Sequence, residues 1–541
     1  MSKVDMILKS NAIFTGCNDD VISGAVLISG NKIAGVVSTE EIEQYQGEDT
    51  VVYEYEDKLI MPGLVDGHDH LWWGAVANSD HMVDVTSSTS EEECVAMIKE
   101  YADSHPDEKR VLGFGWFPAN WNDAPLPTKI SLDEVVPDRP AYMLAADAHT
   151  CWLNSKALEE SGYTPDMKVG GGSIGVFENG EMNGLIFEPD AMVNAYKYIY
   201  DFPEDQIRVI TEEFMRDLAT QGVTSLSEMS ADDYQEHIYA RYKVFKDMSD
   251  KGQFTSRVHV YTKLLGYTDY TVAKEWAEEF NSPTFKIVGL KGFLDGVAST
   301  YTALMLEPYA DRPDCMGEGV PLATKEDLEA SVLAANAAGF PVRIHCIGEG
   351  AVRMGLDAYE KSLEVNGQHG LVNTIEHIEF VHPDDIPRFS KMGVVPSMQG
   401  EHLKLDANEQ LTRLGKERTR WGWAFKSFLD SGAELAFGTD FPVVPFNQFV
   451  GIHAAISRKN YDGSVAGVVN GENITVAQAL RCNTINSAKV YGRDHELGTL
   501  ETGKLADVIV LDRNLFDVPV DDINDAKVIL TVMDGKVTYK K

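Results

Sequence analysis

The stretch LIMPGLVDGHDHLWWG, residues 59–74, decides how this chain is read. It begins as an apolar run of strand type and closes on His68 and His70, one residue apart. In an extended segment, residues at that spacing project to the same side, so one cation can accept both imidazoles. Alone, an H-x-H is weak, because two surface or hydrogen-bonded histidines satisfy it equally well. Its weight comes from the rest of the chain.

Downstream, short apolar runs alternate with amphipathic stretches, the pattern of repeated βα units. Eight barrel strands are read near 60–66, 223–228, 256–262, 288–294, 341–345, 373–377, 394–399 and 435–440. Between them, stretches such as 206–222 and 325–340 have helical character and end at glycine. The expected fold is an α/β (β/α)8 barrel. The gap after the first strand is too long for a barrel loop and predicts an inserted subdomain at about 72–220. Residues 1–59 and 499–541 both read as short alternating strands, with an Asp-Gly turn at Asp534 and Gly535. They are expected to form one composite β-sandwich around a barrel spanning 60–498.

Barrels of this kind carry their chemistry where the strands end and the βα loops begin. The fifth strand is expected to end at His345, the sixth at His377 and the eighth at Asp440, each a polar group closing an apolar run. Four histidines and an aspartate at the rims of four strands are hard to explain as packing. Imidazole together with carboxylate favours Zn²⁺, with Mn²⁺ and Fe²⁺ as alternatives, over Mg²⁺ or Ca²⁺. No H-E-x-x-H is present, which excludes a thermolysin-like site.

The 541 residues carry a formal net charge of −38, a balance that repels phosphate backbones and anionic lipid surfaces. Neither nucleic acid nor a membrane is an expected partner, and no run approaches a membrane span. A small-molecule substrate is expected, and a homodimer is the default on base rates. The six cysteines are scattered without C-x-x-C pairs, and the first residues lack a cleavage pattern, so a cytoplasmic setting is expected.

With these residues placed, the segments MPGLVDGHDH, RIHCIGEGAV, TIEHIEFV, FGTDFPV and LGTLETGKLADVIVLD resemble the amidohydrolase superfamily. The likeness is to its amidohydrolase family 3 branch, the YtcJ-like proteins that include N-substituted formamide deformylase. GFGW (113–116), DAHTCWLNSKAL (147–158), LKGFLDG (290–296) and YTALMLEPYADRPDCMGEG (301–319) match that branch in order. The resemblance implies metal-dependent hydrolysis of an amide-type C–N bond with one or two divalent ions. It puts His68 and His70 on the more buried metal and His345 and His377 on the second. Asp440 becomes a ligand that also takes the proton from the attacking water. Lys291 falls where related enzymes have a carbamylated lysine bridging two metals; the alternative is an unmodified amine paired with Asp295. Two departures flank His345: Cys346 replaces a small residue, and Glu349 stands where the family commonly has Asp. The same kind of centre also serves cyclic amides, deamination and ester hydrolysis, and an isomerase or a non-catalytic metal-binding scaffold is the reading from another class.

Weaker signals remain. Trp72, Trp73, Trp116 and Trp121 are candidates for an aromatic pocket wall or for core, with Trp72 and Trp116 taken as substrate-binding. His149 is a candidate oxyanion donor, and Glu228 and His259 are rim or core groups. Ser173, central in GGSIG (171–175), fits a nucleophile elbow only in letters, because no strand–turn–helix context surrounds it.

Overall fold

Eight strands form one parallel sheet in chain order: β1 (Leu64–Asp69), β2 (Val223–Glu228), β3 (Arg257–Lys263), β4 (Phe285–Phe293), β5 (Val342–Cys346), β6 (Thr374–His377), β7 (Val395–Met398) and β8 (Ala436–Phe437). The two ends of this sheet meet just beyond β8. Thr439 donates its N–H to Asp66 Oδ1 at 2.9 Å and its hydroxyl to Asp66 Oδ2 at 2.7 Å, and His70 N–H reaches the carbonyl of Phe441 at 3.0 Å. These bonds close the (β/α)8 barrel. Position 438 must be glycine for the closure, because a Cβ there would collide with the backbone of His68. The structure, a computed structural model, describes residues 3–121, 124–146, 148–169, 172–368, 370–465 and 471–541. Asp147 and Gly171, which belong to two of the stretches quoted above, lie outside them.

Arg343 ties the barrel together from within. Its guanidinium is fully buried, donates to both oxygens of Glu376 at 2.8 Å, and also reaches Ser227 Oγ, the carbonyl of Gly67 and Ser397 Oγ. One side chain on β5 thereby bonds to β1, β2, β6 and β7. A buried arginine persists only when paired and fully hydrogen-bonded, and here it is.

The expected first barrel strand, 60–66, needs correction. Leu59–Pro62 is a strand of the terminal sheet, paired antiparallel with Val508–Leu511, and the barrel strand starts at Leu64. Gly63 is the point of transfer: its N–H bonds to the carbonyl of Asp507, while the next N–H, from Leu64, bonds to that of Gly222. A continuous apolar run hides the break, since both halves are buried.

The terminal sheet joins strands from both ends of the chain. Its order runs from Lys536–Lys540 through Val528–Met533, Val508–Leu511, Leu59–Pro62, Met6–Phe14 and Val21–Ser29 to Lys32–Val37, with Val51–Glu54 also paired to Met6–Phe14. It is one compact unit with the barrel. Arg257, at the start of β3, is buried against Asp507 and bonds Asp534 at 3.0 Å, and Thr531 Oγ1 donates to the carbonyl of Ala219 at 2.7 Å.

Leu71–Phe214, the large insertion after β1, is a second unit with its own mixed sheet of six strands. Its core gathers Trp116, Trp121 and Trp152 with Val111, Leu132 and Met143. Ser173 opens the strand Ser173–Val176, which pairs antiparallel with Met182–Phe187, so the serine sits in a hairpin and not at an elbow. Among the described residues, no helix is long and apolar enough to cross a membrane.

Candidate metal centre

At the C-terminal rim, β1 delivers His68 and His70 to one side, as the spacing dictates, and the loop after β8 delivers Asp440. Asp440 Oδ1 lies 3.0 Å from His70 Nε2 and 3.3 Å from His68 Nε2. Ligands at about 2.0–2.1 Å around a tetrahedral cation stand roughly 3.3 Å apart, so these separations fit one ion. Asp440 and His377 both have left-handed backbones, φ 65° and 71°, as does Ile378 at 47°. Non-glycine residues held there cost on the order of 1–3 kcal/mol each, and such strain gathers at functional sites.

Each imidazole is oriented by a partner behind it. His68 Nδ1 lies 2.6 Å from Glu376 Oε2, whose carboxylate is anchored by Arg343. An anchored carboxylate accepts, so the proton sits on Nδ1 and the Nε2 lone pair points at Asp440. His377 Nδ1 meets Gln399 Oε1 at 2.8 Å. A fifth imidazole, absent from the sequence reading, completes the group: His402, at the start of the helix His402–Thr419 after β7, with Nδ1 3.4 Å from Glu379 Oε1 and Nε2 3.5 Å from Asp440 Oδ2. His402 lies four residues beyond the end of β7, outside any H-x-H spacing, and its one sequence signal is the polar run QGEH closing an apolar strand.

His345 and Lys291 are placed differently. The His345 ring lies 4.3 Å from that of His377, yet its Nε2 faces the carbonyl of Gly296 at 3.4 Å and Asp295 Oδ1 at 3.8 Å. Lys291 is fully buried on β4; its Nζ makes no hydrogen bond and lies 4.8 Å over the Phe293 ring. Asp295 is not its counter-ion: that carboxylate accepts the N–H groups of Leu304, Ile347 and Gly348, each at 2.9 Å. Burial lowers the Lys291 amine to about 8 against the opposing pull of Glu376 and Asp440.

The remaining candidates have other surroundings. Trp72 is buried and donates Nε1–H to the carbonyl of Tyr200, and Trp73 stacks on Tyr200. Trp116 is core in the insertion, its Nε1–H bonded to the carbonyl of Met143, and Trp121 donates to Ser88. His149 pairs with Glu188 at 2.6 Å. Glu228 accepts from the N–H of Ser230, whose hydroxyl is 3.4 Å from His70 Nδ1. His259 is a satisfied interior group: Nδ1 meets the carbonyl of Leu226, Nε2 meets Arg493, and the ring stacks on Tyr491. Glu349 pairs with Arg418 at 2.9 Å, and Cys346 is buried.

The donor set fits a divalent cation. His68 Nε2 makes no hydrogen bond, and it faces an acidic oxygen with no donor between them. A proton does not fill that gap near neutrality, because burial, aided by Lys291, drives the His68 imidazolium down to about 3. Burial alone would raise Asp440, but His68, His70 and His402 hold it well below the usual carboxylate range. Imidazole nitrogens around one carboxylate are the donor mixture that a borderline cation binds.

Comparison with known proteins agrees. The pattern of the amidohydrolase family matches residues 52–539. Protein LONG AFTER FAR-RED 3 of Arabidopsis thaliana is 29% identical, over 99% of this chain and 91% of that one. N-substituted formamide deformylase of Arthrobacter pascens is 24% identical, over 96% and 95%. The crystal structure of an uncharacterized metal-dependent hydrolase from Pyrococcus horikoshii superposes with a TM-score of 0.76 at 25% identity, covering 95% of this chain and 99% of that one. The match from residue 52 to 539, on a barrel whose rim gathers imidazoles around one aspartate, shows that the chain belongs to the amidohydrolase family and is a hydrolase.

Proposed function

We propose that this chain hydrolyses the amide-type C–N bond of an N-substituted amide or formamide at the centre built on His68, His70 and Asp440. The observation that carries this reading is Asp440 Oδ1, set between the Nε2 atoms of His70 and His68 at 3.0 and 3.3 Å. The formamide substrate class rests on the Arthrobacter relative, and the cytoplasmic setting on the scattered cysteines. Zinc is the proposed ion, from the imidazole and carboxylate donors. When bound, it supplies a water of lowered pKa and a Lewis acid for the carbonyl oxygen.

The chain's own residues do the rest. Asp440, kept ionised, accepts the proton of the attacking water on its carboxylate and returns it to the departing nitrogen, because an amine leaves poorly unprotonated. Glu376 and Gln399 keep His68 and His377 in fixed tautomers. Lys291 combines burial, a lowered amine pKa and a nitrogen without a hydrogen bond, the conditions under which a neutral lysine amine adds CO₂ and releases one proton to give an anionic carbamate, which would be a further oxygen donor for a cation. Intact-mass analysis under bicarbonate tests that point.

The function is tested on a panel of N-substituted formamides, amides, lactams and esters, following amine release. Formamides and amides are the expected substrates, and Asp440→Asn is expected to lower turnover about 10²–10⁴-fold. Release of ammonia alone, or full activity in Asp440→Asn, would refute the reading.

A further inference from the structure

The helix Gln448–Ser457 packs on the barrel backbone to backbone: a Cβ on Gly400, just beyond β7, would meet the carbonyl oxygen of Gly451 at 2.3 Å. Beside this contact lies a small cavity. Its walls come from the turn after β7, the end of β8 and the first turn of the helix, and include Glu401, Thr439, Asn447, Gln448 and Asn483. About 10 Å³ is open to the centre of a water-sized molecule, which is room for one.

One wall group is left unmet. Gln448 is 3% exposed, and neither its amide oxygen nor its amide nitrogen makes a hydrogen bond among the described residues. The polar side chains around it are already engaged: Thr439 donates to Asp66, Asn447 accepts the N–H of Phe449, Asn483 donates to the carbonyl of Ala479, and Glu401 accepts the hydroxyl of Tyr461. A buried amide with both ends unmet is costly, and folded proteins satisfy such groups with another protein group or with an ordered water. We propose that this cavity is a binding site for a single water molecule, held by the Gln448 amide.

The chemistry of the wall selects that ligand. The first turn of the helix presents the positive end of its dipole, which disfavours a cation, and Glu401 places an acidic group in the wall, which disfavours an anion. The ligand must therefore be neutral, small enough for the space, and able both to accept from the amide nitrogen and to donate to the amide oxygen. Water meets all three requirements. An engaged oxygen keeps a second lone pair, so Asn447 Oδ1 and the Glu401 carboxyl can also accept from the same molecule. The position gives the site its role. Thr439 clasps Asp66 and precedes Asp440, so the water braces the helix against the turn that carries Asp440.

The test compares crystal structures of the full-length wild type and of Gln448→Met, at a resolution that shows other buried waters, with water-oxygen magnetic relaxation dispersion counting long-lived waters in solution. The wild type is expected to hold one ordered water in the cavity, within about 3.2 Å of the Gln448 amide. Gln448→Met keeps the length of the side chain and loses both polar atoms. It is expected to lose that water and to lower the long-lived count by about one, with an unchanged circular dichroism spectrum. Under xenon pressure the wild-type cavity is expected to stay free of xenon, which settles in dry apolar cavities. An empty cavity in the wild type, xenon bound within it, or the same water kept in Gln448→Met would each overturn the assignment.

Discussion

The main-chain N–H of Asp440 donates to the carbonyl oxygen of His68 at 2.7 Å. The residue that closes the barrel and the residue that opens it are thereby joined at the point where their side chains meet. Barrel closure and the placement of Asp440 beside His68 and His70 are one structural event, because the strained backbone of Asp440 is held by its bond to β1 and by the neighbouring Thr439–Asp66 clasp.

Loosening that clasp should therefore weaken both fold and metal site. Thr439→Val removes the hydroxyl that donates to Asp66 Oδ2, a carboxyl that burial already pushes up to about 6. A buried group left without its donor costs about 1–3 kcal/mol, so urea unfolding should show a loss of that size. The same variant should bind Zn²⁺ more weakly than wild type in a competition titration.

Glu376→Gln should be costly for a different reason. The carboxylate and the Arg343 guanidinium are both fully buried, and removing one charge strands the other, at about 3–5 kcal/mol. Burial alone would raise the Glu376 carboxyl, but Arg343 and the His68 hydrogen bond hold it well below the glutamate value of 4.5. A depressed carboxylate contributes stability that is complete above its unfolded value and is lost as pH falls through the folded one. The stability gap between wild type and Glu376→Gln should stay constant from neutral pH to about 5 and narrow only below 4.5. A gap that closes between pH 8 and 6 would contradict this account.

Arg257→Ala separates stability from chemistry. Arg257 begins β3, at the opposite end of the barrel from the centre, buried against Asp507 and bonded to Asp534. Its loss leaves Asp507 buried without its cation, at about 3–5 kcal/mol. Thermal unfolding should shift down strongly while metal stoichiometry and KM stay at wild-type values, as expected for the face of a barrel that carries stability.

How much of this was legible in the sequence follows from where each residue sits. The eight barrel strands could be read because each is a short apolar run bounded by helical stretches. His68, His70, His377 and Asp440 could be read because they stand at or just beyond strand ends. Gly63 was misread as mid-strand, since hydropathy cannot distinguish two buried strands joined through one glycine. His402 was missed because its position depends on a loop path that sequence spacing does not encode. Glu376 was passed over as a strand residue beside a histidine; its pairing with Arg343 spans 33 positions. His345 could be read in the same way as the other rim histidines, since it stands near the end of β5 with its ring 4.3 Å from that of His377.

Metal binding should register as stability. A cation that binds only the folded chain adds about 2.7 kcal/mol when present at roughly 100 times its Kd. Zinc should raise the unfolding midpoint of the metal-free wild type and leave that of Asp440→Asn unchanged, with Mg²⁺ having no effect on either.

The most direct test of the central claim is amine release from an N-substituted formamide by protein stripped with a chelator and then titrated with Zn²⁺. Activity is predicted to vanish on stripping and to return in proportion to the zinc bound, reaching a plateau at stoichiometric loading. Undiminished amine release from protein shown by elemental analysis to be metal-free would contradict it.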